Sequence, residues 1–125
     1  PVALTGKDIV GLANTGTGKT GAFLIPLIDR AMRDGGLRVL VMAPTRELAV
    51  QIRDEFKGFA KGLPLSAALV VGGAGIYPQV SELKRNPAFV IGTPGRLKDM
   101  IERKALDLSE FSAVVLDEAD RMLDI

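Results

Sequence analysis

The stretch Gly11–Thr20 reads GLANTGTGKT and combines two closely spaced glycines with a lysine and a threonine. Its last eight residues, from Ala13 onward, follow an apolar segment typical of a strand and precede a segment with helical spacing, which is the context of a phosphate-binding loop. A glycine-rich turn between a strand and a helix is also a common structural device. Both interpretations stay open on this stretch alone, and the rest of the chain decides between them.

The phosphate-loop interpretation gives each residue a physical task. Gly16 and Gly18 permit main-chain conformations that side chains forbid, so that successive N–H groups and the following helix N-terminus can face a β-phosphate. Lys19 would reach the β- and γ-phosphates, and the Thr20 hydroxyl would ligate Mg²⁺. The general pattern begins with glycine where this chain has Ala13. The predicted cofactor-binding residues are Ala13, Asn14, Thr15, Gly16, Thr17, Gly18, Lys19 and Thr20.

A second stretch, AVVLDEAD at 113–120, changes the balance between the two interpretations. An apolar strand that ends in two acids puts Asp117 at the carboxyl edge of the sheet, within reach of a metal ion held by Thr20. Asp117 would hold Mg²⁺ through water, and Glu118 would orient and deprotonate an attacking water. A solvated acidic turn is the alternative, and beside the Gly-Lys-Thr turn it becomes the weaker one. The predicted catalytic residues are Lys19, Asp117 and Glu118, and the predicted metal ligands are Thr20 and Asp117.

The composition excludes several classes of function. The 125 residues fit one domain, and 16 Lys and Arg against 15 Asp and Glu leave a net charge of +1, which favours no class of charged partner. The chain has no cysteine and no histidine, so it has no disulfide framework, no Cys/His zinc site and no catalytic thiol or imidazole. Its apolar runs are far shorter than the ~20 residues of a membrane span. These features favour a soluble, cytoplasmic protein.

Short apolar runs alternate with longer segments of helical spacing along the chain. This alternation predicts an α/β fold with a parallel sheet flanked by helices. The predicted strands are DIVGLA (8–13), RVLVMA (38–43), LSAALVV (65–71), AFVIG (88–92) and SAVVLD (112–117).

The spacing of apolar residues predicts three helices between these strands. The first should cover about 18–33 with a kink at Pro26, because proline removes one main-chain hydrogen bond from a helix. The second follows Thr45, and its buried face consists of Leu48, Ala49, Ile52, Phe56, Phe59 and Ala60. The third follows Thr93 and has Pro94 at its first position, where a missing N–H costs little. Its buried face consists of Leu97, Met100 and Ile101.

Two arginines occupy unfavourable positions. The stretches APTREL and GTPGRL each end a predicted strand, continue with a threonine suited to cap a helix, and put Arg46 or Arg96 in the first helical turn. A cation there opposes the helix macrodipole by a few tenths to ~1 kcal/mol. An anion bound at these helix ends, which should share the carboxyl edge of the sheet, would explain both placements. Pairing with Glu47 or other nearby acids explains them equally well.

Uncharged groups near the arginines extend the candidate anion site. Thr45, Thr93 and the amide of Gly95 are donors of the kind that contact a nucleic-acid backbone. Gly72 and Gly73 form a turn after LSAALVV where a backbone could approach closely. The five Phe and one Tyr, most at core-like spacing, offer no platform for stacked bases. A bound strand would therefore be held through phosphate and sugar, with little sequence preference.

Taken together, ANTGTGKT, PTREL, the Gly72–Gly73 pair, TPGRL and DEAD resemble, in order and spacing, the first RecA-like domain of the DEAD-box RNA helicases. The resemblance covers essentially the whole chain and accounts for Ala13, which this family accepts in place of glycine. It implies binding of ATP and Mg²⁺ by the residues named above and a role for Asp120 in coupling ATP to a second RecA-like domain. It implies that the RNA backbone is bound by Thr45, Arg46, Gly72, Gly73, Thr93, Gly95 and Arg96.

Some family features are missing from the sequence. The glutamine motif expected before Pro1, the Ser-Ala-Thr motif after DEAD and the second domain are absent, so residues 1–125 should form part of an N-terminal RecA-like domain. The resemblance also puts one more strand between those that bear the phosphate loop and DEAD. The sheet would have a gap there, pair the two flanking strands directly, or take a strand from a second copy.

Two other functions compete with an RNA-dependent ATPase and helicase. We expect residues 1–125 of such a helicase to bind nucleotide with reduced affinity and not to unwind RNA on their own. The second interpretation is that the chain is a nucleotide-binding module without catalysis. The third interpretation is a P-loop DNA translocase. The presence of Arg46 and Arg96 together with DEAD argues against it, although backbone contacts alone do not distinguish RNA from DNA.

Overall fold

The computed structural model describes residues 8–11 and 22–117, in which five short strands form one parallel sheet. The strands are β1 (Asp8–Gly11), β2 (Val39–Met42), β3 (Ala67–Val70), β4 (Phe89–Gly92) and β5 (Ala113–Leu116). Their order across the sheet is β1-β5-β2-β4-β3, and every neighbouring pair is parallel. All five lie within the segments that the apolar runs predict.

The strands end in register. Leu116 at the end of β5 stands opposite Gly11 of β1 on one side and opposite Met42 of β2 on the other, and Gly92 of β4 stands opposite both Met42 and Val70 of β3. The carboxyl ends of all five strands therefore form one straight edge. Each segment that follows a strand begins at this edge.

Main-chain hydrogen bonds continue past the last strand residues. The amide of Asp117 donates to the Met42 carbonyl at 2.9 Å, and the amide of Ala43 donates to the Gly92 carbonyl at 2.9 Å. The amide of Thr93 then donates to the Val70 carbonyl at 3.1 Å. These three bonds join the edge from β5 across β2 and β4 to β3.

Four helices lie among the described residues, two on each face of the sheet. They are α1 (Leu24–Arg33), α2 (Arg46–Phe59), α3 (Ile76–Leu83) and α4 (Pro94–Glu102). Helices α1 and α2 share a core with one set of alternating strand residues, which includes Val39 and Val41. Helices α3 and α4 share a second core with the other set, which includes Leu40. The alternation of side chains along each strand thus divides the apolar residues between two helical layers.

Strand β1 pairs directly with β5, from Asp8 opposite Ala113 to Gly11 opposite Leu116. Of the three arrangements open for these strands, the structure therefore adopts direct pairing. The pairing leaves the parallel ladder continuous from β1 to β3.

Two side chains predicted to be buried are exposed. Phe59 lies in the last turn of α2 and is 44% exposed, although Phe56 and Ala60 on either side of it are buried. Ile101 is 37% exposed and lines an apolar groove of about 430 Å³ over β2 and β5, together with Met42 and Leu116. The remaining residues of both predicted faces are buried.

Helix α1 begins at Leu24, later than the spacing predicts. Pro26 therefore lies in its first turn, where N–H groups have no intrahelical acceptor, and the predicted kink has no cause. Helix α3 has no counterpart in the prediction because it has only eight residues and contains Pro78, which also lies in the first turn. No helix among the described residues is long and apolar enough to cross a membrane.

Candidate functional site

The carboxyl edge brings the predicted site residues that the structure describes into one row. Asp117 follows β5, Thr45 follows β2 after two residues, Thr93 follows β4 directly, and Gly72 and Gly73 follow β3. Because the order of strands is β5-β2-β4-β3, the row begins with the acidic residue and ends with the glycines. The prediction that both arginine-bearing helices start at the same edge is confirmed.

The acidic end of the row is described in part. Asp117 is buried, with 3% exposure, and its amide is bound to β2 as described above. The predicted phosphate loop, from Ala13 to Thr20, would begin one strand away, after β1. That loop, Glu118 and Asp120 lie outside the described residues.

The two threonines differ in how they cap their helices. The Oγ1 atom of Thr45 accepts a hydrogen bond from the amide of Leu48 at 3.1 Å, which caps the first turn of α2 as predicted. Thr93 has extended main-chain angles at the start of α4, but its side chain makes no capping hydrogen bond. Its hydroxyl is therefore not engaged in holding the helix end, and Pro94 at the first position stabilises the start of α4.

Arg46 is exposed and makes neither an ion pair nor a hydrogen bond within the part of the chain that the structure describes. Its guanidinium lies against Gly73, where a Cβ atom would stand 2.7 Å from Nη1. Gly73 also has a φ of +80°, which residues with side chains rarely adopt. A side chain at position 73 would therefore strain the turn and displace the guanidinium, and Glu47 does not neutralise Arg46.

Arg96 is held on the other side of the same turn. Its Nη1 atom donates to the Ala74 carbonyl at 3.2 Å and to Oε1 of Gln79 at 3.1 Å. Its Nε atom is 3.9 Å from Oδ2 of Asp99, which is the outer limit of an ion pair, while Arg103 is closer to that carboxylate at 3.1 Å. Pairing with an acid therefore accounts for only part of the environment of Arg96.

The two arginines contact one turn from opposite faces of the sheet. Arg46 starts α2 in one helical layer, and Arg96 starts α4 in the other. Both reach the segment 72–75, at Gly73 and at Ala74 respectively. This turn is consequently the point at which the separate arginine motifs of the sequence become one site.

The remaining glycines of the candidate site leave open space. Gly72 and Gly95 are exposed, and a Cβ atom at either position would meet nothing within 4 Å. Gly95 lies in the first turn of α4, where the N–H groups have no acceptor within the helix. The main chain is therefore accessible at both positions, as a ligand held through backbone amides requires.

Gln79 belongs to the site, although the sequence analysis did not single it out. It is 6% exposed, and its Nε2 atom donates to the Val71 carbonyl at 3.1 Å while its Oε1 atom accepts from Arg96. Glutamine is mostly a surface residue, so a single Gln beside Pro78 gives no signal of burial. The preceding Gly-Gly turn was the only signal in the sequence that could have pointed to Gln79, since the helix that follows such a turn starts at the carboxyl edge of the sheet.

Comparison with known proteins gives concordant matches along the chain. The family model described as DEAD/DEAH box helicase matches residues 1–125. The chain is 46% identical over 126 aligned positions to the DEAD-box ATP-dependent RNA helicase CshA of Streptococcus pneumoniae serotype 4 (strain ATCC BAA-334 / TIGR4). The match covers 100% of this chain and 24% of that protein, so the chain spans about a quarter of the length of this curated relative.

Solved structures show the same architecture. A hypothetical ATP-dependent RNA helicase from Sulfolobus tokodaii superposes with a TM-score of 0.79 at 38% identity, over 99% of this chain and 36% of that one. A DEAD box protein from the hyperthermophile Methanococcus jannaschii superposes with a TM-score of 0.80 at 42% identity, over 98% of this chain and 34% of that one. The predicted RecA-like parallel sheet with flanking helices is confirmed.

Proposed function

The chain belongs to the DEAD/DEAH box helicase family, and from that premise we propose that it is the ATP-binding part of an RNA helicase that couples hydrolysis of Mg-ATP to local unwinding of RNA duplexes. One observation supports the RNA-binding part of this proposal. Arg46 and Arg96 approach a single glycine turn from the two faces of the sheet, on the edge that also bears Asp117. Among the described residues, neither cation has a carboxylate closer than the 3.9 Å between Arg96 and Asp99, and exposed amides lie beside them, which suits a phosphodiester backbone.

The ATP-binding part of the proposal rests on the residues at the acidic end of the row. Within residues 8–11 and 22–117, no three His, Cys, Asp or Glu side chains converge on a metal site. A Mg²⁺ ion here would depend on Asp117, the Thr20 hydroxyl and phosphate oxygens, which is the usual ligand set beside a nucleotide. When bound, the ion would neutralise charge on the phosphate oxygens. Lys19 would hold the β- and γ-phosphates, and Glu118 would orient and deprotonate the attacking water.

The backbone contacts imply a mode of recognition. Cationic and amide donors recognise the charge and spacing of phosphate groups but do not contact the bases, so RNA would bind with little sequence preference. Thr45, Thr93 and Gly95 would add uncharged contacts between the two arginines. A second RecA-like domain, present in the longer helicases of the family, would close over ATP, with Asp120 coupling the nucleotide state to it.

The experiment that tests the function is ATP turnover with and without single-stranded RNA. It should be run on this chain and on a version extended through a second RecA-like domain, with single-stranded DNA as the matched polymer. The extended protein should show turnover that RNA stimulates more than DNA does. If RNA has no effect, the helicase proposal fails. Equal stimulation by DNA would favour a translocase, and ATP binding without turnover would favour a binding module.

Arg96→Ala should weaken the binding of single-stranded RNA by about tenfold or more, because a hydrogen bond to a charged group is lost. The loss should be equal for all sequences, and the slope of log K against log salt should become shallower by about 0.7, the value for one phosphate on a single strand. Fluorescence anisotropy with labelled oligonucleotides at several salt concentrations measures both quantities.

Arg85→Ala is the matched control for this variant. Arg85 is exposed in the loop after α3, at the opposite end of the sheet from the candidate site, and its replacement removes the same charge. Its RNA affinity should stay within about twofold of the parent, since distant exposed charges are screened. A loss at Arg96 that depends on RNA sequence would contradict a phosphate contact.

A further inference from the structure

The amide of Gln79 connects three segments of the candidate RNA site. Its Nε2 atom donates to the carbonyl of Val71, the last residue before the 72–75 turn, at 3.1 Å. Its Oε1 atom accepts from Nη1 of Arg96, at the start of α4, at 3.1 Å. Gln79 itself belongs to α3, and it is 6% exposed. A single buried side chain thus joins the end of β3, helix α3 and the arginine of helix α4.

These contacts fix the orientation of the Arg96 guanidinium. Nη1 is shared between Oε1 of Gln79 and the carbonyl of Ala74, and the Arg96 side chain is only 15% exposed. Nη2 of Arg96 has no hydrogen bond to any residue in the part of the chain described. Because the guanidinium is planar, fixing Nη1 also fixes the direction of Nη2. One donor is thereby committed to the protein, and another stays available to a ligand.

A preoriented arginine binds an anion at lower cost than a mobile one. A long side chain loses rotamer freedom when it binds, and contacts that order it beforehand remove part of that loss. Arg46 is the contrast within the same site, since it has no such hydrogen bonds among the described residues. The two arginines therefore differ in preorganisation, although both lie against the same turn.

We infer that Gln79 is a positioning residue for RNA binding, which acts by holding the Arg96 guanidinium beside the 72–75 turn in the arrangement that a phosphodiester backbone meets. The inference rests on the proposed function and deepens it. It goes beyond the residues of the recognised motifs, because Gln79 lies outside them and is proposed to act through its hydrogen bond to Arg96. The competing explanation is that Gln79 only satisfies the buried carbonyl of Val71 and stabilises the packing of α3.

Gln79→Met tests this inference, because methionine keeps the length of the side chain and removes both hydrogen bonds. RNA affinity should fall by about fivefold to tenfold, the equivalent of about one hydrogen bond. In the Arg96→Ala background the same substitution should change affinity by less than about twofold, because Gln79 acts through Arg96. Equal losses in the two backgrounds, or no loss in either, would overturn the inference. Thermal unfolding of every variant gives the fraction folded at the temperature of the assay.

Val80→Ala is the matched control for loosened packing. Val80 is the next residue of α3, is partly buried against the second core, and has no polar side-chain group that could hydrogen-bond to Arg96. It should lower thermal stability while leaving RNA affinity within about twofold of the parent. A loss of affinity equal to that of Gln79→Met would mean that loosening of α3 alone weakens binding, which would overturn the inference.

Arg96→Lys provides a test that leaves Gln79 in place. Lysine keeps the charge but cannot reproduce the planar group that Gln79 and Ala74 hold. Affinity should remain at least about fivefold below the parent, and recovery to within twofold would show that charge alone suffices. If Arg96→Ala itself leaves RNA binding unchanged, the proposed RNA site fails, and that result is distinct from a failure of Gln79.

Discussion

Glu118→Gln is expected to lower ATP turnover by about 10²–10⁴-fold while ATP binding stays unchanged, because an isosteric amide cannot accept a proton from the attacking water. The measurement is steady-state turnover, with saturating RNA, of the chain extended through a second RecA-like domain. Binding is followed separately with a fluorescent ATP analogue. A fall in turnover without a fall in affinity indicates an interaction made only in the transition state.

Two further variants serve as a control and a contrast for Glu118→Gln. Glu102→Gln makes the same chemical change on an exposed residue at the end of α4 and should leave turnover within about twofold of the parent. Lys19→Ala should instead weaken ATP binding itself, because the lysine is proposed to contact the phosphates in the bound state. Turnover that survives Glu118→Gln would mean that another group orients the water, and unchanged ATP affinity in Lys19→Ala would contradict a phosphate contact.

Gly92→Ala is expected to destabilise the fold by about 3 kcal/mol or more, the upper range for overpacking a filled core. Gly92 ends β4, and a Cβ atom there would overlap the main-chain carbonyl oxygen of Val70 and stand 3.0 Å from side-chain atoms of Leu97. A main-chain atom of the neighbouring strand cannot move away without breaking the ladder. Urea denaturation of the chain, followed by circular dichroism, measures the change in the free energy of unfolding.

The same substitution at Gly58 should have the opposite sign. Gly58 lies inside α2, and a Cβ atom there would meet nothing within 4 Å. Alanine should therefore stabilise the protein by about 0.5–1 kcal/mol through its higher helix propensity. Unchanged stability in Gly92→Ala would mean that β4 and β3 can separate at their carboxyl ends, which would contradict the close approach of Gly92 to Val70.

The strands could be predicted from sequence because burial on both faces leaves a strong local signal. Runs such as RVLVMA and SAVVLD are apolar at every central position, as a strand covered by two helical layers requires. The parallel arrangement then follows from the helices predicted in three of the four connections between them, and the shared carboxyl edge follows from the parallel arrangement. The sequence therefore predicts that Arg46 and Arg96 lie at the same edge of the sheet, as they do.

The errors of the sequence-based prediction have a different origin. They concern the extent of individual helices and contacts between residues that are distant in sequence. Periodicity gives the side of a helix that faces the core but not how completely each residue on that side is covered, so it did not distinguish the exposed Phe59 from the buried Phe56 and Ala60. Helix α3 has a proline in its first turn. When the start of a helix is unknown, such a proline indicates the end of a helix as readily as its beginning. Gln79 carried no signal because its partners, the Val71 carbonyl and Arg96, come together only in the folded chain.

The three main-chain hydrogen bonds beyond the strand ends have a mechanical consequence. They join Asp117 to Met42, Ala43 to Gly92, and Thr93 to Val70, so the acidic end and the glycine end of the row are connected across about three strand spacings, or roughly 14 Å. A shift of one strand along its neighbour at this edge would lengthen at least one of the three bonds. The spacing between Asp117 and the turn between the arginines therefore depends on main-chain bonds and not on the side chains along the edge.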